Sequence, residues 1–369
     1  MHIANLTLSH FRSHRVSALE LDHRPVAIFG PNGAGKTNVL EAISMLSPGR
    51  GLRRALPTEM VRHQEALGWK VTAELSTDRL DHTVETWVEG ARSRQVLIDG
   101  KAAPQSGLAN VVRVVWLVPA MDRLWTEGAD GRRRFLDRIA LGFDPGHANA
   151  TLAYEKAMRE RNRLLKDQVQ DANWYRALEA QMAENGALIA AARDRTVTRL
   201  NAAQDGAETS FPKADLRIAG PDGQSSATTV PEDLAAALDS GRPTDLRAGR
   251  TLAGPHRDDL VAVFAEKNIP ARDCSTGEQK ALLISLILAA GRALASDLGR
   301  PPLILLDEIS AHLDESRRRA LYEEIHQLGA QAWMTGTGPE LFQEMGPRAQ
   351  FFSVDELEGV SQISPHNLR

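Results

Sequence analysis

Gly30-Pro31-Asn32-Gly33-Ala34-Gly35-Lys36-Thr37 fills every fixed place of the phosphate-binding loop G-x-x-x-x-G-K-[ST]. The glycines let successive backbone N–H groups converge on an anion without Cβ interference. Lys36 supplies a compact positive charge for β and γ phosphates, and Thr37 offers a hydroxyl to Mg²⁺. The flanks suit the motif: residues 25–29 (PVAIF) read as a short buried strand, and residues 38–46 (NVLEAISML) as an amphipathic helix. Gly30 through Asn38 is therefore the expected nucleotide-binding segment, in the strand, loop, helix order that phosphate binding requires.

Far downstream, residues 303–306 (LILL) follow Pro301 and Pro302 and end at Asp307 and Glu308. A buried strand here would deliver both carboxylates to the carboxyl edge of a sheet, where ligands bind in open α/β architectures. Asp307 is the expected Mg²⁺ ligand, through water, and Glu308 the expected catalytic group that polarises the water attacking a γ-phosphate. An Asp-Glu pair also marks many ordinary strand ends; the phosphate loop upstream tips the reading toward chemistry. Before this pair, residues 275–280 (STGEQK) lead into an apolar helix. Ser275 alone is a good N-cap, but together with Gly277 it offers a hydroxyl, N–H groups and a positive dipole end to an anion.

Phosphate loop, then Ser-x-Gly-x-Gln, then an apolar strand with Asp-Glu, is an order that resembles the ATP-binding-cassette (ABC) class. The resemblance implies ATP and Mg²⁺ as ligands, with Lys36 and Glu308 catalytic. It also implies that Ser275, Gly277 and Gln279 form a signature in which Ser275 acts in trans on ATP held by a second subunit. The signature departs from Leu-Ser-Gly-Gly-Gln at Cys274 and Thr276. Residues 310–314 (SAHLD) resemble the dimer-contact loop of the class.

The chain has 369 residues, enough for about two domains with an ample core. Hydrophobic content of 42% and charged content of 25% are those of a globular protein. No uninterrupted run of 18 apolar residues occurs, and the N-terminus (MHIANLTLSHF) alternates like a strand instead of carrying a secretory leader, so no membrane span is expected. A single cysteine, Cys274, allows no internal disulfide and suits a reducing cytoplasm. With 44 basic against 48 acidic residues, any contact with nucleic acid must come from a local patch. Candidates are Arg132, Arg133 and Arg134; the run from Arg159 to Lys166; and Arg50, Arg53 and Arg54. Each run could equally be a solvated face or a set of ion-pair partners.

The expected fold class is α/β: an ABC-type P-loop ATPase head with a mixed sheet, interrupted by an inserted helical arm. Residues 1–130 are strand-rich, with alternation over 71–75, 83–89 and 96–98, a turn at Asp99-Gly100, and an apolar strand over 111–118. Residues 148–204 carry a helical stripe through Leu178, Met182, Asn185, Ile189, Ala192 and Thr196, which predicts two packed helices separated near 171–174, each at most about 40 Å long. Residues 205–250, rich in Gly, Pro, Ser and Thr, read as irregular connections. The expected parts are head 1–130, arm 131–250 and head 251–369, because phosphate loop and acidic pair must share one site.

Beyond the ATPase motifs, four segments resemble the RecF family, on the structural-maintenance-of-chromosomes (SMC) branch. They are residues 5–15 (NLTLSHFRSHR), 49–53 (GRGLR), 119–137 with its arginine run before Phe135-Leu136-Asp137, and 252–260 (LAGPHRDDL). The resemblance covers almost the whole chain. It implies a cytoplasmic, nucleoid-associated ATPase of DNA replication, recombinational repair and the SOS response. Such a protein forms an ATP-dependent homodimer, recognises gapped DNA at single-strand/double-strand junctions, partners RecR and promotes recombinase loading, with slow DNA-stimulated turnover. Arg12 would then contact nucleotide phosphates, although an arginine beside a turn can also be an ordinary surface residue. Where transporters carry a switch histidine, residues 331–337 (QAWMTGT) leave Thr335 or Thr337 as the nearest polar groups. His256 in the GPHRD stretch has no derivable chemistry and could be structural. Two alternatives stay open: an ABC-type subunit of another system, disfavoured by the long insertion, and a nucleotide-gated scaffold without catalysis, disfavoured by Glu308.

Overall fold

The computed structural model describes residues 1–62, 67–77, 80–90, 92–221, 223, 228–309 and 313–367. Two compact units divide the chain: Met1–Asp122, Ala207–Phe211 and Leu283–Arg369 form the first, and Arg123–Gly206 with Pro212–Leu282 the second. The first unit begins with β1 (His2–Phe11), β2 (His14–Glu20), β3 (Val26–Phe29), α1 (Lys36–Ser44), β4 (Trp69–Ser76), β5 (His82–Val88), β6 (Gln95–Ile98), β7 (Lys101–Ala102) and β8 (Val114–Leu117). The second carries α2 (Ala129–Phe143), α3 (Gly146–Lys166), α4 (Ala172–Asp205), β9 (Ala214–Ala219), α5 (Pro231–Ala248), β10 (Asp259–Phe264) and β11 (Ile269–Pro270). The chain then runs through α6 (Thr276–Leu298), β12 (Leu303–Leu306), α7 (Glu315–Leu328), β13 (Ala332–Gly336), β14 (Gln350–Leu357) and β15 (Val360–Pro365).

Among the described residues the first unit contains a mixed sheet in the order β15-β14-β3-β13-β12-β8. Only β15 runs antiparallel to its neighbour. Every residue of β3, β8, β12 and β13 is buried, which is why these strands read as unbroken apolar runs instead of alternating ones. The register sets Gly336 of β13 beside Phe29 of β3, and Met334 beside Leu306 of β12. The carboxyl ends of these three strands therefore finish at one edge, and the chain leaves them at Gly30, Asp307 and Thr337. A second, antiparallel sheet, β2-β1-β4-β5-β6-β7, alternates buried and open positions, as in β4. The hairpin between β6 and β7 turns at Asp99 and Gly100, both with positive φ (51° and 74°), the backbone a type I′ turn needs.

The α/β class and mixed sheet match the expectation; three details differ. Residues 205–250 are not merely irregular: they hold β9 and the 18-residue α5, which starts on Pro231, tolerates Pro243 inside and buries Leu234 and Leu238. Proline at the first helical position suits a helix start, and two buried leucines four apart suffice to dock one face. The unit boundaries also fall at 122/123 and 282/283, not at 130 and 250, because β10 pairs with β9 along six residues and so keeps residues 259–264 with the helices. α4 has 34 residues, about 50 Å at 1.5 Å per residue, longer than the expected helix. α6 is long and apolar enough to cross a membrane, with mean hydropathy 1.7 in its most apolar window. However, 72% of that window is buried within the protein, which accounts for its composition as a core helix.

The second unit is tied by a buried ionic junction. Arg161 of α3, fully buried, donates from Nε to Glu179 of α4 at 3.0 Å, and from Nη1 to Asp245 of α5 at 2.7 Å and to Thr251 Oγ1 at 2.8 Å. Arg242 closes on the other oxygen of Glu179 at 2.5 Å. One guanidinium thus fixes three helices, and its carboxylate partners have lost their water. Arg161→Met should destabilise this unit by about 3–5 kcal/mol, the usual result of removing one partner from a buried pair. Urea denaturation followed by helix ellipticity measures it; stability equal to the parent would contradict the junction's role.

Candidate functional site

The loop after β3 is shaped from outside. A Cβ on Gly30 would lie 2.0 Å from the Val354 carbonyl oxygen of β14, so the backbone of the neighbouring strand passes where a side chain would be. Gly35 has φ of 104°, and a Cβ there would lie 2.2 Å from Ser361 Oγ. α1 begins at Lys36, so the positive end of its dipole opens onto the loop. The Lys36 ammonium folds back across the loop and donates to the carbonyls of Gly30 at 2.7 Å and Pro31 at 2.8 Å. Burial lowers its pKa, and Glu308 and Asp307 partly offset that shift.

The acidic pair meets the loop directly. Thr37 Oγ1 donates to Asp307 Oδ1 at 2.8 Å across 270 residues of sequence. Thr335 Oγ1 donates to the same oxygen at 2.7 Å and accepts from the Glu308 N–H at 2.9 Å. Glu308 sits at φ of 53°, left-handed backbone that a glutamate adopts only when held there, and the Thr335 contact holds it. A cleft is lined by Gly33, Gly35, Lys36, Thr37, Asn38, Arg53 and Glu308. Pro31, Asn32 and Gly33 are exposed and Ala34 is buried beneath them. A hydroxyl and a carboxylate in contact at the mouth of an N–H-rich loop are donors that suit a hard divalent cation, so the residues fit Mg²⁺. Of the two threonines considered, Thr335 is buried against the carboxylates, whereas Thr337 is exposed.

Three further residues organise the rim. Arg12, also at positive φ (56°), donates to Glu41 from Nε at 2.9 Å and Nη2 at 2.7 Å, and to the Glu59 carbonyl at 2.7 Å. The fully buried Glu41 also accepts from Arg53 Nη1 at 3.1 Å, and Arg53 reaches Asn38 Oδ1 at 2.8 Å. Arg12 is thus committed to Glu41, and Arg53, present in the sequence reading as part of a basic run and of the GRGLR segment, lines the cleft. The available signal was Asn38 and Glu41, three apart on one face of α1.

The signature residues lie in the second unit. Ser275 and Glu278 form a reciprocal cap: Ser275 N–H and Oγ each donate to Glu278 Oε2 at 2.8 Å, and the Glu278 N–H points to Ser275 Oγ at 3.4 Å. Lys267 pairs with Glu278, and these partners hold its carboxyl at a pKa of about 2. Gln279 is buried and donates to the carbonyls of Cys274 and Arg272, while Gly277 is open to solvent. Glu278, missed as a site residue, was legible as the fourth place of Ser-x-x-Glu. Of the segment resembling a dimer-contact loop, residues 310–312 lie outside the described residues. Leu313 is buried, and Asp314 caps α7 by accepting from Arg317 N–H at 2.9 Å.

The arginine run expected to meet DNA is turned largely inward. Arg132 makes a bidentate pair with Asp259 at 2.7 and 2.8 Å and donates to the carbonyls of Leu124 and Glu127. Arg133 donates to the Asp258 carbonyl at 2.7 Å, and Arg134, the most open of the three, pairs with Asp130. A helix that packs on β10 must satisfy the arginines on its inner face, and the acidic GPHRDDL stretch does so. In that stretch, His256 shares a hydrogen bond of 2.7 Å with the Tyr154 hydroxyl. Burial lowers its pKa to about 4, although its contact with the Thr251 carbonyl acts in the opposite direction. Arg193 clamps Asp137 bidentately, holding its carboxyl far below the usual range despite burial, and also reaches the Pro255 carbonyl. His256 and the residues around it are thus a structural bracket between α3, α4 and β10.

Residues 2–360 match the RecF/RecN/SMC N-terminal domain family. The chain is 47% identical to the DNA replication and repair protein RecF of Mesorhizobium japonicum, over 96% of each chain. It is 46% identical to the namesake from Brucella suis, over 97% of this chain and 96% of that one. In fold it is similar to the recombination mediator protein RecF of the RecFOR pathway in its ATP form, with TM-score 0.83 at 23% identity, covering 98% of this chain and 97% of that one. It is also similar to the Smc head domain with an extended coiled coil from Pyrococcus furiosus, with TM-score 0.57 at 17% identity, over 99% and 96% of the two chains.

The inward turn of the run is directly checkable. Arg132→Gln should lower unfolding free energy by about 2–3 kcal/mol, because Asp259 and several carbonyls lose a part-buried partner. Arg134→Gln, losing an exposed pair, should stay within about 0.5 kcal/mol of the parent. Equal effects in urea denaturation would contradict the assignment.

Proposed function

This chain belongs to the RecF family of DNA replication and repair proteins, and on that premise we propose that it is an ATP-dependent DNA-binding ATPase that dimerises around ATP. The observation that carries this reading is the Thr37–Asp307 hydrogen bond, which gathers the phosphate loop and the acidic pair into one site. The free backbone N–H groups of the loop would bind the phosphates, and Lys36 would exchange its carbonyl contacts for the β and γ oxygens. Thr37 and Asp307 would hold Mg²⁺, which when bound neutralises phosphate charge and withdraws electrons from the scissile oxygen. Glu308, its backbone fixed by Thr335, would accept a proton from the attacking water as the water oxygen bonds to the γ-phosphorus and the bond from that phosphorus to the β–γ bridging oxygen breaks, releasing ADP and phosphate. Asn38 and Arg53 line the same cleft, with Arg12 braced behind them through Glu41.

Ser275, Gly277 and Gln279 would act in trans, on ATP bound by a second copy of the chain. Ser275 now spends its hydroxyl on Glu278, so engaging a γ-phosphate requires that contact to yield. A dimer held by the γ-phosphate forms with ATP and not with ADP, because a ligand shifts association only through differential contacts. Gapped DNA and RecR are the partners that family membership points to, with slow, DNA-stimulated turnover suited to a switch.

Glu308→Gln should bind ATP while its hydrolysis falls by about two orders of magnitude or more, the scale of losing a positioned general base. Ser275→Arg should bind ATP as a monomer but neither dimerise nor hydrolyse. Steady-state phosphate release with gapped DNA, together with sedimentation in ATP and ADP, reads both. Full turnover by Glu308→Gln, or ATP-dependent dimers of Ser275→Arg, would overturn the respective roles.

A further inference from the structure

The phosphate loop is gripped on its outer face by two buried side chains from elements remote in sequence, Ser361 of β15 and His14 of β2. Ser361 Oγ lies 2.5 Å from the Ala34 carbonyl and 2.6 Å from Ser13 Oγ, and Asn38 Nδ2 donates to Ser13 Oγ at 2.7 Å. Proton counting sets the direction. A carbonyl only accepts, so Ser361 donates its single hydroxyl proton to Ala34, Ser13 donates to Ser361, and Asn38 donates to Ser13. His14 Nε2 lies 3.1 Å from the Gly35 carbonyl and Nδ1 lies 3.0 Å from Ser17 Oγ. The same reasoning puts a proton on Nε2, and in the neutral ring Nδ1 then accepts from the Ser17 hydroxyl. Burial favours that neutral form.

Each gripped carbonyl shares a planar peptide with the N–H of the following residue, and the two bonds point in opposite directions. Fixing the Ala34 oxygen outward aims the Gly35 N–H inward, and fixing the Gly35 oxygen aims the Lys36 N–H. Backbone contacts add to the grip: Ser361 N–H donates to the Ser13 carbonyl at 2.9 Å, and Arg62 bridges the carbonyls of Ser13 and Gly359. No ordering of these two peptides is then left for the binding step, which is where preorganisation gains affinity.

We propose that Ser361 and His14 are positioning residues of the nucleotide site, acting through the Ala34 and Gly35 carbonyls, so that the C-terminal hairpin sets nucleotide affinity. The inference rests on the reading of this cleft as an ATP site. Titration of the full-length protein with ATP and with ADP by calorimetry tests it. Ser361→Ala and His14→Leu should each raise Kd for both nucleotides by about 5–10-fold, the value of one lost, fully buried hydrogen bond. His14→Gln, which keeps an N–H donor near the Nε2 position, should recover most of that loss. In steady state the defect should fall on KM far more than on kcat, because the aimed N–H groups serve ground state and transition state alike. Lys36→Ala separates the two claims: if it leaves ATP affinity intact, the site reading itself fails. If Lys36→Ala abolishes binding while Ser361→Ala and His14→Leu bind like the parent, or lose kcat at unchanged Kd, the positioning role fails alone. A melting temperature for each nucleotide-free variant identifies any that is misfolded. His14→Gln losing as much affinity as His14→Leu would also overturn it.

Discussion

The hydrogen bond from Thr37 to Asp307 is the constraint from which the rest of the first unit follows. Two groups 270 residues apart can meet only if the strands that carry them end side by side, and the order β3-β13-β12 achieves this with a single strand between them. That intervening strand supplies Thr335, which bonds the same carboxylate oxygen and the N–H of Glu308. One short β13 therefore spaces the two halves of the site, orients the Asp307 carboxylate and pins the backbone of Glu308. Complete burial of β3, β12 and β13 makes the spacing rigid.

Charge is handled differently in the two units. At the candidate cleft, Glu41 is buried and neutralised by two arginines that remain partly open, so positive charge is kept at the rim where an anion would arrive. In the second unit, Arg161 with Glu179 and Asp245, and Arg193 with Asp137, are closed junctions whose ions satisfy one another. These junctions bury Arg161 and Arg193 against their carboxylate partners and so withhold both charges from the surface.

What was legible in the sequence was what local chemistry dictates. The phosphate loop needs consecutive residues in a fixed order, and the strand bearing Asp307 and Glu308 is apolar because both its faces are covered; both could be read without a partner in view. Contacts between distant segments could not. Nothing near Arg12 announces Glu41, nothing in the C-terminal hairpin announces that Ser361 reaches Ala34, and the run Arg132 to Arg134 looks solvent-facing until Asp259 is seen opposite it. α5 was hidden by composition, since Pro231 and Pro243 read as breakers although one starts the helix. Residues 251–282 lie on the head side of the expected boundary, yet β10 pairs with β9 in the helical unit.

The central claim is that phosphate loop and acidic pair serve one bound ion and one nucleotide. A double-mutant cycle on Mn²⁺·ATP affinity, read by the electron paramagnetic resonance of bound manganese, tests it most directly. If Thr37 and Asp307 hold the same ion, Thr37→Val and Asp307→Asn should each weaken manganese binding, and the double variant should lose clearly less than the sum of the two, since the second loss finds the ion already displaced. Strictly additive losses, or manganese bound as tightly by the double variant as by the parent, would contradict the account.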